Sequence, residues 1–304
     1  MVFGLNKLPQ PQSKLRHAMR LYLFVIIAYF LHEWEVQLIL LALHPYTTMK
    51  IATWNVNSLK VRLPHLLRWL EENPVDVLCL QETKLTDDKF PVAEINAAGY
   101  QLAFSGQKTY NGVAILSKLP ITNVVKNNPR FPDEQQRILA ATIDGVRIIC
   151  AYVPNGQSVD SDKYLYKLAW LASLRDWLAD ELGQHGEGGL AILGDYNIAP
   201  EARDVHDPAA WEGQVLFSDK EKAALSALMA LGLTDAYRMF EQPEKNFSWW
   251  DYRMLGFQKN KGLRIDHILL SEALRQRCVA CVIDRAPRKW EQPSDHAPVL
   301  ATLE

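Results

Sequence analysis

The sequence predicts an α/β fold in which helices pack over the outer faces of one or two β-sheets. Three observations carry that expectation. Short apolar runs rich in β-branched residues pass directly into polar groups, and nearly continuous apolar strands of this kind are buried on both faces. Helical spacings of apolar residues alternate with these runs, and neither pattern dominates. No linker rich in Gly, Ser or Pro interrupts the chain after residue 49, so 49–304 reads as one domain.

In chain order, Ile51–Trp54 is a strand that runs into Asn55. Leu63–Glu72 repeats apolar residues at 63, 66, 67 and 70, the spacing of an amphipathic helix. Val75–Leu80 is a strand that stops at Gln81-Glu82, and Asn111–Leu116 is another. Val146–Tyr152 runs into Pro154-Asn155-Gly156. Tyr164–Leu182 carries apolar residues at 164, 165, 168, 171, 174, 178 and 182, a longer helix. Leu190–Leu193 ends at Gly194-Asp195-Tyr196-Asn197. Ser218–Leu231 has Ser218 placed as N-cap, Glu221 three residues later and Gly232 just past its end. Ile265–Leu270 and Ala297–Leu303 are the last two strands, each with an acid near its start. No tandem repeat is visible, but Leu78–Glu82 and Ile192–Asn197 echo each other as buried strands that stop at a carboxylate.

Composition narrows the function. At 48% hydrophobic and 22% charged residues over 304 positions, the chain is neither collagen-like, low-complexity nor wholly disordered. With 33 basic and 35 acidic residues the net charge is −2, less basic than a protein that holds duplex DNA by bulk charge. A phosphate partner must therefore meet a local patch, or metal ions held on carboxylates. Four cysteines make no disulfide framework and point to a reducing compartment. Cys79 and Cys150 read as buried strand residues, and the Cys278–Cys281 pair lacks the second pair a zinc knuckle needs. No P-loop or G-x-G-x-x-G run supports a nucleotide cofactor.

Residues 1–48 look different. Leu21–Leu31 and Val36–Leu43 are apolar, but Glu33 and Glu35 between them would each cost roughly 2.5–3.5 kcal/mol near mid-bilayer. A signal peptide would lack a small-residue cleavage site after Leu31. The expectation is that the domain begins at Met49 and that 1–48 is an extension outside the fold.

Several motifs could carry chemistry. Glu82, just past an apolar strand, could hold a hard cation such as Mg²⁺ or simply cap a turn. Asp195 and Asn197 can point to one side of an extended segment, where an acid deprotonates a water and an amide fixes it; an Asx-turn is the plainer reading. Asp295-His296 precedes the last strand, where His could stabilise a phosphoryl transition state and Asp could ligate metal. Asp266 lies inside an apolar strand and needs a partner, for which an imidazole is suited. Tyr152 and Asn155 at another strand end could hydrogen-bond a phosphate. Phe247-Ser248-Trp249-Trp250-Asp251-Tyr252-Arg253 could stack on sugars and bases or form a small core under a loop.

The order of these signals closely resembles the exonuclease III-type abasic-site endonucleases of the endonuclease/exonuclease/phosphatase superfamily. The succession is Asn55, Gln81-Glu82-Thr83-Lys84, Gly112-Val113-Ala114, Tyr152, Gly194-Asp195-Tyr196-Asn197, Phe247-Ser248-Trp249, Leu263-Arg264-Ile265-Asp266 and Ser294-Asp295-His296-Ala297-Pro298, and it spans 49–304. The resemblance implies a four-layer α/β sandwich of the deoxyribonuclease I-like type, two facing mixed β-sheets flanked by helices. It implies Glu82 as chief ligand of Mg²⁺ (or Mn²⁺), with Asn55 and Asp295 nearby and Asp195, Asn197 and His296 completing the metal set. Asp195 would activate the attacking water and Asn197 would orient it. His296, supported by Asp266, would bind the scissile phosphate, and Tyr152 would hydrogen-bond or protonate the same centre. Asn155 would bind substrate, and Trp249 with Leu263 and Ile265 would accept a flipped-out abasic deoxyribose. The substrate implied is double-stranded DNA, abasic or blocked at the 3′ end. Lys84, Lys108, Arg137, Lys163, Arg203, Arg253, Lys261 and Arg288 are candidate backbone contacts, and Ala202–Gly213 would border the DNA. A cytoplasmic monomer with no membrane association is expected. Two alternatives are a non-catalytic nucleic-acid-binding regulator on the same fold and a phosphodiesterase acting on lipid or inositol phosphates.

Overall fold

The structure, a computed structural model, describes residues 48–185 and 188–304. The expectation for residues 1–48 therefore lies, but for Thr48, outside the described residues. Residues 48–304 belong to one compact unit.

The elements follow the sequence as β1 (Met49–Asn55), α1 (Leu59–Glu72), β2 (Val77–Gln81), α2 (Val92–Ala97), β3 (Gln101–Ser105), β4 (Val113–Ser117), β5 (Ile121–Lys126), β6 (Ile138–Ile143) and β7 (Val146–Tyr152). Then come α3 (Asp162–His185), β8 (Leu190–Asp195), α4 (Pro208–Trp211), α5 (Asp219–Met229), β9 (Thr234–Asp235), β10 (Trp249–Trp250), β11 (Gly262–Leu263), β12 (Asp266–Leu270), α6 (Glu272–Arg275), β13 (Cys278–Ile283) and β14 (Val299–Leu303). Two six-stranded sheets have the orders β13-β14-β1-β2-β4-β3 and β5-β6-β7-β8-β12-β9. Each is mixed: β1 and β2 run parallel, as do β7 and β8, and the remaining pairs are antiparallel.

The two-residue period of the strands sorts their side chains into layers. Ile51, Val77 and Cys79 of the first sheet meet Val146, Ile148, Cys150, Ala191 and Leu193 of the second in a core between the sheets. The alternate residues Ala52, Trp54, Leu78 and Leu80 face outward, against Leu59, Leu66, Trp69 and Leu70 of α1. On the other side Ile149, Ala151, Leu190 and Ile192 pack against Trp170, Leu171, Leu174 and Leu178 of α3 and Leu225 and Leu228 of α5. The result is a four-layer α/β sandwich, helix–sheet–sheet–helix, which is why the strands read as unbroken apolar runs.

Local signals explain most boundaries. Ser218 and Glu221 form the expected capping box of α5, and Gly232 takes φ 96° beyond its end. The first helix starts at Leu59, four residues earlier than the apolar spacing suggests. Pro64 lies inside it: one intrahelical donor is missing, and the packing of Leu59, Leu66, Trp69 and Leu70 carries the helix through. Cys278 and Cys281 lie on β13, a strand with a bulge between Cys278 and Ala280, and both are buried as free thiols. No helix among the described residues is long and apolar enough to cross a membrane.

Candidate active site

The parallel pairs place four strand ends at one edge of the sandwich. Asn55 closes β1, Glu82 follows β2, Tyr152 closes β7 and Asp195 closes β8. β12 and β14 run antiparallel to these, so Asp266 at the start of β12 and His296 just before β14 arrive at the same edge. Register fixes the detail: Asp195 stands opposite both Tyr152 and Asp266. Ser248 trims the start of β12 by accepting from the Ile265 and Asp266 N–H groups.

Gly194 is required by close approach. A Cβ there would lie 1.8 Å from the Ala151 carbonyl oxygen on the neighbouring parallel strand. Glu82 and Asn197 both adopt left-handed backbone, φ 52° and 49°, in which non-glycine residues persist only where surrounding bonds hold them.

Asn55 links the two sheets. Its Nδ2 donates to Glu82 Oε1 and to Asp195 Oδ2, both at 2.9 Å, while its Oδ1 accepts from the Asn57 N–H. Tyr152 Oη donates to Glu82 Oε1 at 2.8 Å. Lys84 Nζ lies 2.8 Å from Glu82 Oε2. Burial favours the protonated form of Glu82, but Lys84 and the Asn55 hydrogen bond outweigh it and hold its pKa below the usual value. Burial, then the Glu82 and Asp195 charges, push Tyr152 well above the usual phenol range, so it remains a donor.

Asp195 is raised to about 7, chiefly by burial; His296 opposes this, and the Asp266 and Glu82 carboxylates add to it. His296 Nδ1 donates to Asp266 at 2.9 and 3.1 Å, and its Nε2 lies 3.7 Å from Asp195 Oδ2. Burial alone would favour the neutral ring, but Asp266 and Asp195 raise it to about 10. The two carboxylates thus favour the charged form of the His296 ring, in which both nitrogens donate. Asn197 backs the same acid: its N–H caps Asp195 Oδ1, and its Nδ2 reaches the Val153 carbonyl and Asp195 Oδ2.

Donor atoms of Glu82, Asp195 and His296 all lie within 4.8 Å of one another. The hard oxygens of Glu82 and Asp195 suit a hard divalent cation, and Lys84 shows that Glu82 already draws positive charge to its open side. Asp295 stands apart from this group. Its Oδ1 accepts from Asn57 Nδ2 and its Oδ2 from Trp249 Nε1, so it ties the site to the neighbouring aromatic wall. That wall is the half-buried Trp249 packed against an apolar cluster that contains Leu263 and Ile265, both buried, with Val205 and Trp211 of the 202–213 segment. On the other flank, Asn155 is exposed and donates to Asn197 Oδ1. It borders a cleft of about 690 Å³ lined by Asn111, Arg137, Gln157 and Lys163 among others.

Some expectations need correction. Arg288 is buried, donates to the Ser294 carbonyl and stacks near Trp250 and Phe257, so it braces the site from within and is not free to meet DNA. Phe247 and Trp250 belong to the core between the sheets; Tyr252 is the exposed aromatic of that segment. Asn57, which no sequence motif singles out, bridges Lys84 and Asp295. A second polar side chain two residues beyond Asn55 was the signal available for it.

The chain is similar to known proteins in sequence and in fold. Residues 52–296 match the Endonuclease/Exonuclease/phosphatase family. The chain is 35% identical to the exodeoxyribonuclease III of Haemophilus influenzae over 83% of its own length and 99% of that protein. A 3′-5′ exonuclease from Neisseria meningitidis is 46% identical, with TM-score 0.82, over 84% of this chain and all of the other. An AP endonuclease from Archaeoglobus fulgidus is 39% identical, with TM-score 0.81, over 84% and 99%. Fold, site and sequence together place this chain in the endonuclease/exonuclease/phosphatase family.

Proposed function

We propose that the protein is a DNA-repair nuclease that hydrolyses phosphodiesters on the 5′ side of abasic sites and at 3′ ends of duplex DNA, with Mg²⁺ (or Mn²⁺) as cofactor. The catalytic unit of this reading is 49–304. The observation that carries it is the meeting of Glu82 and Asp195 with the Asp266–His296 pair at one edge of the sandwich. A regulator on this fold has no need of that set. The neighbouring cleft with Arg137 and Lys163, and the Trp249 wall, suit a sugar–phosphate chain better than a lipid headgroup.

Phosphodiester hydrolysis asks for positioning and for stabilisation of added negative charge. Glu82 would hold the divalent cation with Asp195 beside it, and the bound ion supplies Lewis-acid polarisation of a phosphate oxygen. Asp195, with a pKa near neutrality, takes the proton of the attacking water as its oxygen bonds to phosphorus and one ester P–O bond breaks, the leaving oxygen taking a proton from solvent. Asn197 keeps the Asp195 carboxylate aimed. The His296 ring, held by Asp266, would donate to the phosphate oxygen on which charge develops, and the Tyr152 hydroxyl would turn from Glu82 Oε1 to hydrogen-bond the same centre. Asn55 acts by spacing the two carboxylates, Asp295 by fixing Trp249, and Asn155 by offering an exposed amide at the cleft.

The test is incubation with Mg²⁺ on a duplex carrying one abasic site, beside 3′-phosphate and blunt duplexes. Incision 5′ to the abasic site, abolished by EDTA, is expected. Absence of both incision and 3′ trimming at every Mg²⁺ concentration refutes the enzyme. The ratio among the three substrates fixes which activity dominates, since the similar proteins carry different names, 3′-5′ exonuclease and AP endonuclease.

A further inference from the structure

Behind the site lies a lysine that the reaction above does not use. Lys167 is on α3 and fully buried. A buried ammonium needs an acceptor for each of its three protons. It finds them in the Asn155 carbonyl at 3.1 Å, the Asn197 carbonyl at 2.6 Å and Glu221 Oε1 at 2.5 Å. Two of these acceptors belong to the loops that follow β7 and β8. The same two asparagines bond to each other through their side chains at 3.0 Å.

Glu221 is itself hydrogen-bonded through both oxygens. It accepts from the Leu216 and Ser218 N–H groups and from Ser218 Oγ at the start of α5. A continuous series of bonds thus runs from the α5 N-terminus through Lys167 to Asn197, and from Asn197 to both oxygens of Asp195. Asn197 sits in left-handed backbone, φ 49°, a costly conformation that asparagine tolerates better than most residues. The bond to its carbonyl comes from Lys167.

We propose that Lys167 is a positioning residue: its ammonium ties the Asn155 and Asn197 loops together and so sets the aim of Asn197 and Asp195 at the reacting phosphate. What that aim serves rests on the nuclease reading. An apolar side chain of similar length would fill the space but leave both carbonyls without a donor and the two loops joined only through the Asn197 side chain.

The test uses the full chain. Lys167→Met alone strands the Glu221 charge, so the pair Lys167→Met/Glu221→Gln removes both. Expected for the folded pair variant is a kcat on abasic duplex lowered at least about tenfold with KM changed less than about threefold, the pattern of misplacement rather than lost binding. Lys167→Arg keeps the charge and donors for both carbonyls, and it recovers most of the turnover. By NMR, the buried Asn197 side-chain amide is protected from exchange in the wild type and in Lys167→Arg, and exposed in the pair variant. Wild-type kcat in a pair variant of normal melting temperature overturns the proposal. So does Lys167→Arg turnover as low as that of the pair variant, or an unprotected Asn197 side-chain amide in the wild type. Wild-type protein that shows the protection but cleaves no DNA refutes the nuclease reading and leaves the tie between the loops standing.

Discussion

Asp266→Asn isolates the acid that the structure gives to His296. The imidazole has one carboxylate in direct contact, Asp266 at 2.9 Å, and a second, Asp195, 3.7 Å from its other nitrogen. At an effective dielectric of about 20, a charge pair roughly 3–4 Å apart is worth about 4–5 kcal/mol, or roughly three pH units of proton affinity. Loss of the Asp266 charge should therefore bring His296 from about 10 down to the neighbourhood of its ordinary value, 6.5. At about pH 8 the charged fraction then drops roughly tenfold, and loss of the fixed ring orientation adds to this, for a kcat decrease of about 10²–10³. The assays are a histidine NMR titration of the ion-free protein and a pH–rate profile on abasic duplex. The variant's rate should fall as pH rises above about 7, where the wild type's still climbs as Asp195 ionises. Stability follows the same sign. A pKa raised on folding gives stability that is complete below 6.5 and is lost as pH rises through about 10. That contribution is at most about 5 kcal/mol, and the variant should lack most of it at neutral pH. A His296 midpoint that stays above about 9 in the variant, or an unchanged kcat, refutes the assignment.

Asp195→Asn should keep the circular dichroism spectrum and DNA binding yet lose at least about 10²-fold in kcat; wild-type turnover removes Asp195 from proton transfer. Lys84→Met removes the ammonium that sits on Glu82 Oε2, so Mn²⁺ measured by calorimetry without DNA should bind about three- to tenfold tighter, whereas weaker binding would make Lys84 a support for the ion rather than its competitor. Gly194→Ala drives a Cβ against the Ala151 carbonyl and should cost at least about 3 kcal/mol in urea unfolding; a loss under about 1 kcal/mol would mean the β7–β8 pair yields easily.

The parts legible in the sequence are those whose signal is local. Runs such as Val146–Tyr152 are apolar on both faces, and α5 shows its cap in Ser218 and Glu221. β6 escaped because Ile138–Ile143 merges into its neighbour, although Asp144-Gly145, both at positive φ, is a strong hairpin signal. β5 escaped because it is an edge strand with mostly exposed residues and no alternation to read. β13 escaped because its bulge breaks the two-residue period. For the site, the acids at strand ends were visible one at a time. The Asp266–His296 and Asn55–Asp195 contacts join residues 30 and 140 positions apart, and no local pattern encodes them. Lys167 was hidden in a helix pattern, where a lysine reads as a solvated face.

The echo between Leu78–Glu82 and Ile192–Asn197 has a structural meaning. β2 and β8 each stand fourth in their sheet, parallel to the third strand and antiparallel to the fifth. The third strands, β1 and β7, end in Asn55 and Tyr152. Each of these reaches across to the other sheet's acid: Asn55 to Asp195, Tyr152 to Glu82. Two half-sandwiches of similar design thus bring two similar acids face to face, and symmetry alone would give them similar proton affinities. The division of labour comes from what breaks it. Lys84 sits on the Glu82 side and holds that acid ionised, ready for a cation. Full burial and the Asp266 charge act on the Asp195 side and lift that acid toward neutrality, where it can both take and give a proton. On the proposed function one acid would serve as ligand and the other as base because of their neighbours, not because of their places in the fold.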